Sequence, residues 1–179
     1  NPMARMVSRP CPWAWSGMIS SCGRNRPAHV ARSRAGVSDD GRLLALHSRV
    51  TGPSIFTFQK RNLPPGVADP FATGLLINDF YRVPARLADY VETKAPVPIG
   101  TWRSVAQSQN GFFAESTIDD IATFTGRDPW ALRRELCAHD PRALAILDRA
   151  AELVQWDKSL PKGRGRGISL SIAYGSYCA

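Results

Sequence analysis

The tetrapeptide Ser38-Asp39-Asp40-Gly41 constrains this chain more than any other stretch, because it separates two strand-like runs, residues 28–37 and 42–50. An Asp-Gly step between such runs is a strong short-range signal for an antiparallel hairpin, since both residues tolerate the positive φ that a tight reversal needs. Two more local signals sit in the second half. Asp128-Pro129 and Asp140-Pro141 each put a capping acid before a proline suited to a first helical turn, so helices are expected to begin at both, the second reaching about Trp156.

Periodicity fills in the rest. Residues 109–125 place Phe112, Phe113, Ile118, Ile121, Ala122 and Thr125 near one helical stripe, and Gly126 offers a stop. Leu144, Leu147, Ala151 and Val154 form an apolar face on the last helix, with Arg142, Asp148, Arg149 and Glu152 mostly outside it. Residues 87–93 and 168–174 read as strands, whereas residues 53–77, punctuated by Pro64-Pro65-Gly66 and Asp69-Pro70, read as a long loop or covering segment. Residues 1–27, interrupted by four prolines, show no period and do not look folded. The order of three strands, three helices and a strand predicts an α+β fold, whole or partial.

At 179 residues and 44% hydrophobic, the chain has the apolar content for one sizeable core. No run approaches the roughly 18 apolar residues that a spanning helix needs, and no apolar stretch follows a charged start as in a secretory signal. The compartment is therefore not written in the sequence. The net charge of +8 invites a nucleic-acid reading, but residues 1–38 hold six arginines and no acid, while the remainder is nearly neutral. Placing the excess on an irregular leader makes nucleic-acid binding the lesser reading. Cys11, Cys22, Cys137 and Cys178 form no Cys-x-x-Cys pair, and His29, His47 and His139 do not complete a zinc site. Buried or free thiols are expected for all four cysteines.

The densest concentration of ligand chemistry is Gly100-Thr101-Trp102-Arg103-Ser104-Val105-Ala106-Gln107-Ser108-Gln109-Asn110, which runs straight into the predicted central helix. Free N–H groups at a helix start, with Arg, Ser and Gln beside them, suit an anionic or acceptor-rich ligand. An ordinary capped loop has the same composition, and on residue chemistry alone it is the simpler reading. Gly163-Arg164-Gly165-Arg166-Gly167 lacks the lysine and hydroxyl of a phosphate loop and leads into a strand, so it reads as a strand-entry turn. Adjacent Asp119 and Asp120 point in different directions on a helix and are expected to be solvated or capping charges.

The loop and its surroundings also carry a family resemblance. Pro96-Val97-Pro98-Ile99-Gly100-Thr101-Trp102-Arg103-Ser104-Val105, then Ser108-Gln109-Asn110-Gly111-Phe112-Phe113-Ala114-Glu115-Ser116 and Ile118-Asp119-Asp120, resemble the molybdopterin-binding large subunit of the xanthine oxidase and aldehyde oxidase family. Isoquinoline 1-oxidoreductase beta subunits and related aldehyde dehydrogenases are the nearest pattern. The likeness extends upstream through Arg26-Pro27-Ala28-His29, Asp40-Gly41-Arg42 and Gly52-Pro53-Ser54-Ile55. Downstream it runs through Gly126-Arg127-Asp128-Pro129, His139-Asp140-Pro141-Arg142 and the glycine-arginine turn to Tyr174-Gly175-Ser176-Tyr177, so it covers residues 24–179.

The resemblance implies a partial molybdenum-cofactor-binding domain, with Arg103, Ser104 and Gln109 against a molybdenum–molybdopterin cofactor in its dinucleotide form. Val105 matches a substrate-facing position that is Phe in xanthine oxidases. The implied reaction is hydroxylation of an N-heteroaromatic or an aldehyde with water-derived oxygen, with a 2Fe-2S small subunit as partner. The family's catalytic glutamate belongs to a Gly-Glu motif outside these residues, so no catalytic residue is assigned and the fragment is expected to be inactive alone. Such a fragment is also expected to expose apolar faces such as Phe112 and Ile121. Relatives carry a Trp-x-Arg-Glu-Asp-Asp-like run where this chain has Trp15-Ser16-Gly17-Met18-Ile19-Ser20. Codons of Gly17–Ser20 read one frame over permit Asp-Asp, so residues 1–23 are expected to be a frameshifted, irregular leader. The alternative is a non-catalytic remnant, or an Arg-rich nucleic-acid-binding or interaction protein.

Overall fold

The computed structural model describes the backbone of residues 5–11 and all of residues 25–76 and 80–179. Two compact units emerge, one drawn from Asn1–Asn78 and Val83–Ala114, the other from Asp79–Arg82 and Glu115–Ala179. The architecture is α+β, as the order of patterns predicts. The frame change expected at Gly17–Ser20 lies outside the described residues.

The first unit is built on a four-stranded sheet in the order β1-β2-β3-β4, comprising Arg5–Cys11, Val30–Val37, Leu43–Gly52 and Ala85–Glu92. The predicted hairpin is β2 and β3, antiparallel, with Gly41 at a φ of 79° in the turn and a register shift at Gly36/Val37. Strand β4 pairs with β3 in parallel, which requires a crossover, and residues 53–84 make it. Alternation sends Ala31, Ala35, Val37, Leu46 and Val50 inward, and Ala31 and Val50 meet Leu76 and Phe113 in the core, flanked by Tyr90 and Ala114.

Strand β1 falls where the sequence shows no period. Its backbone pairing with β2 makes it a strand, rather than any pattern of its own. The arginine excess therefore does not sit wholly on an irregular leader. Arg5 and Arg9 lie in β1, and Arg32 and Arg34 project from the outer side of β2, because alternate residues of a strand must face out.

The crossover is also more ordered than a loop. It holds two one-turn helices, α1 (Ile55–Phe58) and α2 (Pro70–Thr73), tied together by buried Asp69. The Asp69 carboxylate accepts from the Ser54 hydroxyl at 2.6 Å and from the backbone N–H of Phe71 at 2.7 Å and Phe56 at 3.3 Å. Each of these short helices is thus capped by a residue that also anchors the other, which no local pattern announces.

Helix α3 (Ala106–Thr125) begins three residues earlier than its apolar stripe suggests. It closes as predicted at Gly126, whose φ of 66° lets Gly126 N–H reach Thr123 O and Arg127 N–H reach Ala122 O. In the second unit, α4 (Pro129–Leu136) and α5 (Pro141–Leu153) start where the Asp-Pro steps place them, with Asp128 and Asp140 capping backbone N–H groups. Both caps have a second role, Asp128 accepting from the Trp156 indole and Asp140 from the Tyr177 hydroxyl, each at 2.8 Å. Helix α5 ends short of Trp156, leaving Val154 exposed rather than on the apolar face. The short hairpin β5 (Ser171–Ala173) and β6 (Ser176–Cys178) follows the exposed glycine-arginine turn.

Ile121 is buried, against the expectation that a fragment would expose it, as are Ile118, Leu132, Leu147 and Leu170 of the same unit. Phe112 and Phe124 do remain exposed. The centre of this unit is polar. Arg133, fully buried, donates to Glu115 Oε2 at 2.9 Å, Asp119 Oδ1 at 2.7 Å and the Glu115 carbonyl at 3.1 Å. Glu115 Oε2 also accepts from Leu170 N–H at 2.8 Å and the Tyr81 hydroxyl at 3.2 Å. Burial pushes the Glu115 carboxyl above its ordinary range, and the Arg133 guanidinium opposes that shift. Asp119 is consequently half of an ion pair, not a merely solvated charge. Cys137 and Cys178 are free thiols, burial pushing Cys137 up to about 12; the other two cysteine side chains lie outside the described residues. Among the described residues, no helix is long and apolar enough to cross a membrane.

Candidate functional site

The approach to α3 is the most strained backbone in the first unit. Ser104 and Val105, consecutive and neither a glycine, have φ of 70° and 46°. The left-handed region is unfavourable for L-residues and worse for a β-branched one such as Val, at roughly 1–3 kcal/mol each. The strain is held in place from two sides. Val105 N–H reaches Trp102 O and Gln107 N–H reaches Ser104 O, while the Ser104 hydroxyl bonds the Arg103 carbonyl and the Ser108 hydroxyl. On the other side, buried Asn110 donates through its amide nitrogen to Ala72 O at 2.8 Å and Gly74 O at 2.7 Å, clamping the turn after α2 onto the helix start. Gly74 permits that approach: a Cβ there would lie 2.9 Å from Pro70 O and 3.2 Å from Ala106 Cβ. Leu75, next in this turn, is itself left-handed at a φ of 74°.

This bracing opens a small cleft lined by Arg26, Pro27, Ile55, Phe71, Trp102, Val105, Ser108 and Gln109, with a volume of about 30 Å³. The Arg26 guanidinium lies over the Trp102 ring at 4.3 Å, which orients a cation on an aromatic floor. Asn25 sets this segment in place, its N–H and amide nitrogen both donating to Pro98 O, 73 residues away.

Of the four site residues expected from the sequence, Val105 and Gln109 line the cleft. Arg103 and Ser104 do not. Arg103 is exposed beside it, with no hydrogen bond or ion pair from its guanidinium among the described residues, and Ser104 spends its hydroxyl within the loop. The other six lining residues were not expected as site residues: Trp102 and Ser108 stood out only as members of the loop, Arg26, Pro27 and Ile55 only within upstream motifs, and Phe71 gave no signal. Asn110, one of the loop's polar residues, is a structural clamp.

The available chemistry is a guanidinium on an aromatic ring, a hydroxyl, an amide and a second guanidinium alongside. On the same first turn of α3, Gln107 Oε1 is buried without a hydrogen-bond partner, an acceptor in want of a donor. A volume of about 30 Å³ accommodates a water or an edge of a ligand, far below the roughly 300–1,000 Å³ of a complete cofactor pocket.

The chain is similar to several known proteins. A family model described as the molybdopterin cofactor-binding domain matches residues 3–136. The isoquinoline 1-oxidoreductase subunit beta of Brevundimonas diminuta is 30% identical over 97 residues, 54% of this chain and 12% of that protein. Quinoline 2-oxidoreductase from Pseudomonas putida 86 superposes with a TM-score of 0.56 at 21% identity, covering 75% of this chain and 19% of its own. Aldehyde oxidoreductase from Desulfovibrio gigas gives 0.57 at 18% identity, with 74% and 16% covered. The chain thus spans less than a fifth of the length of each of these relatives.

Proposed function

The chain belongs to the molybdopterin cofactor-binding domain family, and from that premise we propose that residues 102–109, with Arg26, present one edge of the molybdenum–molybdopterin site of a molybdenum hydroxylase large subunit. The observation that carries this reading is the paired left-handed backbone at Ser104-Val105. Glycine would relieve that strain, so a chain that keeps Ser and Val there uses their side chains and the direction they give the loop.

When bound, the cofactor supplies oxidation of a substrate carbon with oxygen derived from water. The chain's own residues bind and orient. Gln109 and Ser108 face the cleft with donor and acceptor capacity. Arg26, held over Trp102, and Arg103, exposed at the helix start, provide cationic forks for phosphate or oxo groups of the dinucleotide form. Val105 sets the width of the substrate side, and in place of a Phe it leaves room for an N-heteroaromatic or an aldehyde. A 2Fe-2S partner subunit completes the electron path in this reading. A cleft of about 30 Å³ cannot enclose cofactor and substrate, so the segment works only within a larger assembly and is inactive alone.

The test is Gln109→Ala and Arg103→Ala in the full-length gene product, read by molybdenum and pterin content per polypeptide. Each is expected to lower both together, by about tenfold or more for the pair combined, while Arg164→Ala in the exposed glycine-arginine turn leaves them unchanged. Wild-type cofactor content in the folded double variant would overturn the assignment.

A further inference from the structure

The outer face of the four-stranded sheet carries charge that its own fold does not neutralise. A groove of about 300 Å³ runs across it, lined by Val30, Arg32, Arg34, His47, Arg49 and Thr51. Register places Arg32 directly opposite Arg49 and Arg34 directly opposite His47. Two guanidinium groups facing one another across strands are destabilising, so the Arg32–Arg49 pairing is one a free sheet face would not favour.

The sole acid in register with these side chains on β4 is Asp89, opposite Arg49. It is already engaged: Arg49 Nε and Nη2 donate to Oδ1 and Oδ2 at 2.7 and 2.8 Å, and His47 Nε2 lies 3.0 Å from Oδ2. Arg32 and Arg34 are exposed and have neither a hydrogen bond nor an ion pair from their side chains among the described residues. The stretch before β2 cannot supply a carboxylate, because residues 1–38 contain no acid. On the same face Leu87 and Val91 of β4 are 56% and 46% exposed, and Val30 is 44% exposed, so apolar surface flanks the basic groove.

We infer that this face docks an acidic polypeptide segment in which pairs of carboxylates alternate with pairs of apolar residues, so that either face of the extended segment carries both kinds of side chain. The carboxylates pair with Arg32 and Arg34 in the forked geometry that Arg49 already makes with Asp89, and the apolar side chains cover Val30, Leu87 and Val91. Charge complementarity selects acid. The apolar flanks select polypeptide over nucleic acid, which would seek a longer basic stripe without apolar borders.

The experiment titrates the full chain with a synthetic Glu-Val peptide of about twelve residues that repeats Glu-Glu-Val-Val, long enough to run along a strand with both residue types on each face, and with its Gln-Val counterpart. A single-stranded oligonucleotide of similar length serves as the third probe. The Glu-Val peptide is expected to bind, to weaken with salt, and to lose affinity about tenfold or more in the double variant R32S/R34S. Both positions are exposed, so circular dichroism should match the wild type. The uncharged change L87S/V91S should weaken the same peptide severalfold without altering its salt dependence. No binding of the Glu-Val peptide, equal binding of the Gln-Val peptide, or tighter binding of the oligonucleotide that R32S/R34S abolishes would each overturn the inference.

Discussion

The start of helix α3 and its continuation from Glu115 use polar side chains in opposite ways. At the start, Arg103 lies exposed without a partner among the described residues, Gln107 Oε1 is buried and unmatched, and two consecutive residues hold a strained backbone. From Glu115 onward a fully buried guanidinium is matched by two carboxylates and a carbonyl, and one carboxylate oxygen takes three donors. A buried charge without partners is too costly to keep, so Arg133 is paired within its own unit and its role is structural, with Glu115 Oε1 left as a buried acceptor without a hydrogen-bond partner. A strained backbone beside an exposed, unpaired cation is what a binding edge retains, since a ligand supplies the missing partner.

The largest test of this contrast is Arg133→Met. It leaves Glu115 buried without its cation and should cost about 3–5 kcal/mol, read as a fall in the urea midpoint, whereas Arg103→Met should stay within about 0.5 kcal/mol of wild type. Comparable losses at the two arginines would break the comparison. Next comes Asn110→Ala, which strips the donors from Ala72 O and Gly74 O and should cost about 1–3 kcal/mol. Because this clamp sets the strained loop, the variant should also lower cofactor content in the full-length protein, and stability loss with full cofactor content would show that the clamp does not shape the site. The smallest effect sharpens the comparison most. Val105→Gly removes left-handed strain and should raise stability by about 1 kcal/mol or less, after the entropy that glycine loses on folding, while cofactor content falls. A stabilised variant that keeps its cofactor would mean that the strain serves no ligand.

What could be read from the sequence follows the same divide. The β2–β3 turn, the Asp128 and Asp140 caps and the Gly126 stop were all visible, because each rests on a residue acting within four positions of itself. The site was half visible: the Trp102–Asn110 loop stood out by composition and by family resemblance, yet Arg103 and Ser104 lie outside the cleft and Arg26 and Phe71 line it. Helices α1 and α2 were missed because Asp69 stabilises both from a distance. Arg133 gave no signal at all, since an arginine in an amphipathic helix ordinarily reads as surface.

The sequence by itself determined the β2–β3 turn, the starts of α4 and α5, the stop of α3 and which family the chain belongs to, since turn chemistry, capping and motif order are local properties of the chain. Tertiary structure alone decided that β3 and β4 run parallel, that β1 joins the sheet, that Arg32 faces Arg49, and that Arg26 lies over Trp102. Each of those depends on residues far apart in sequence, whose meeting is set by burial and backbone pairing over the whole unit rather than by any pattern in either segment.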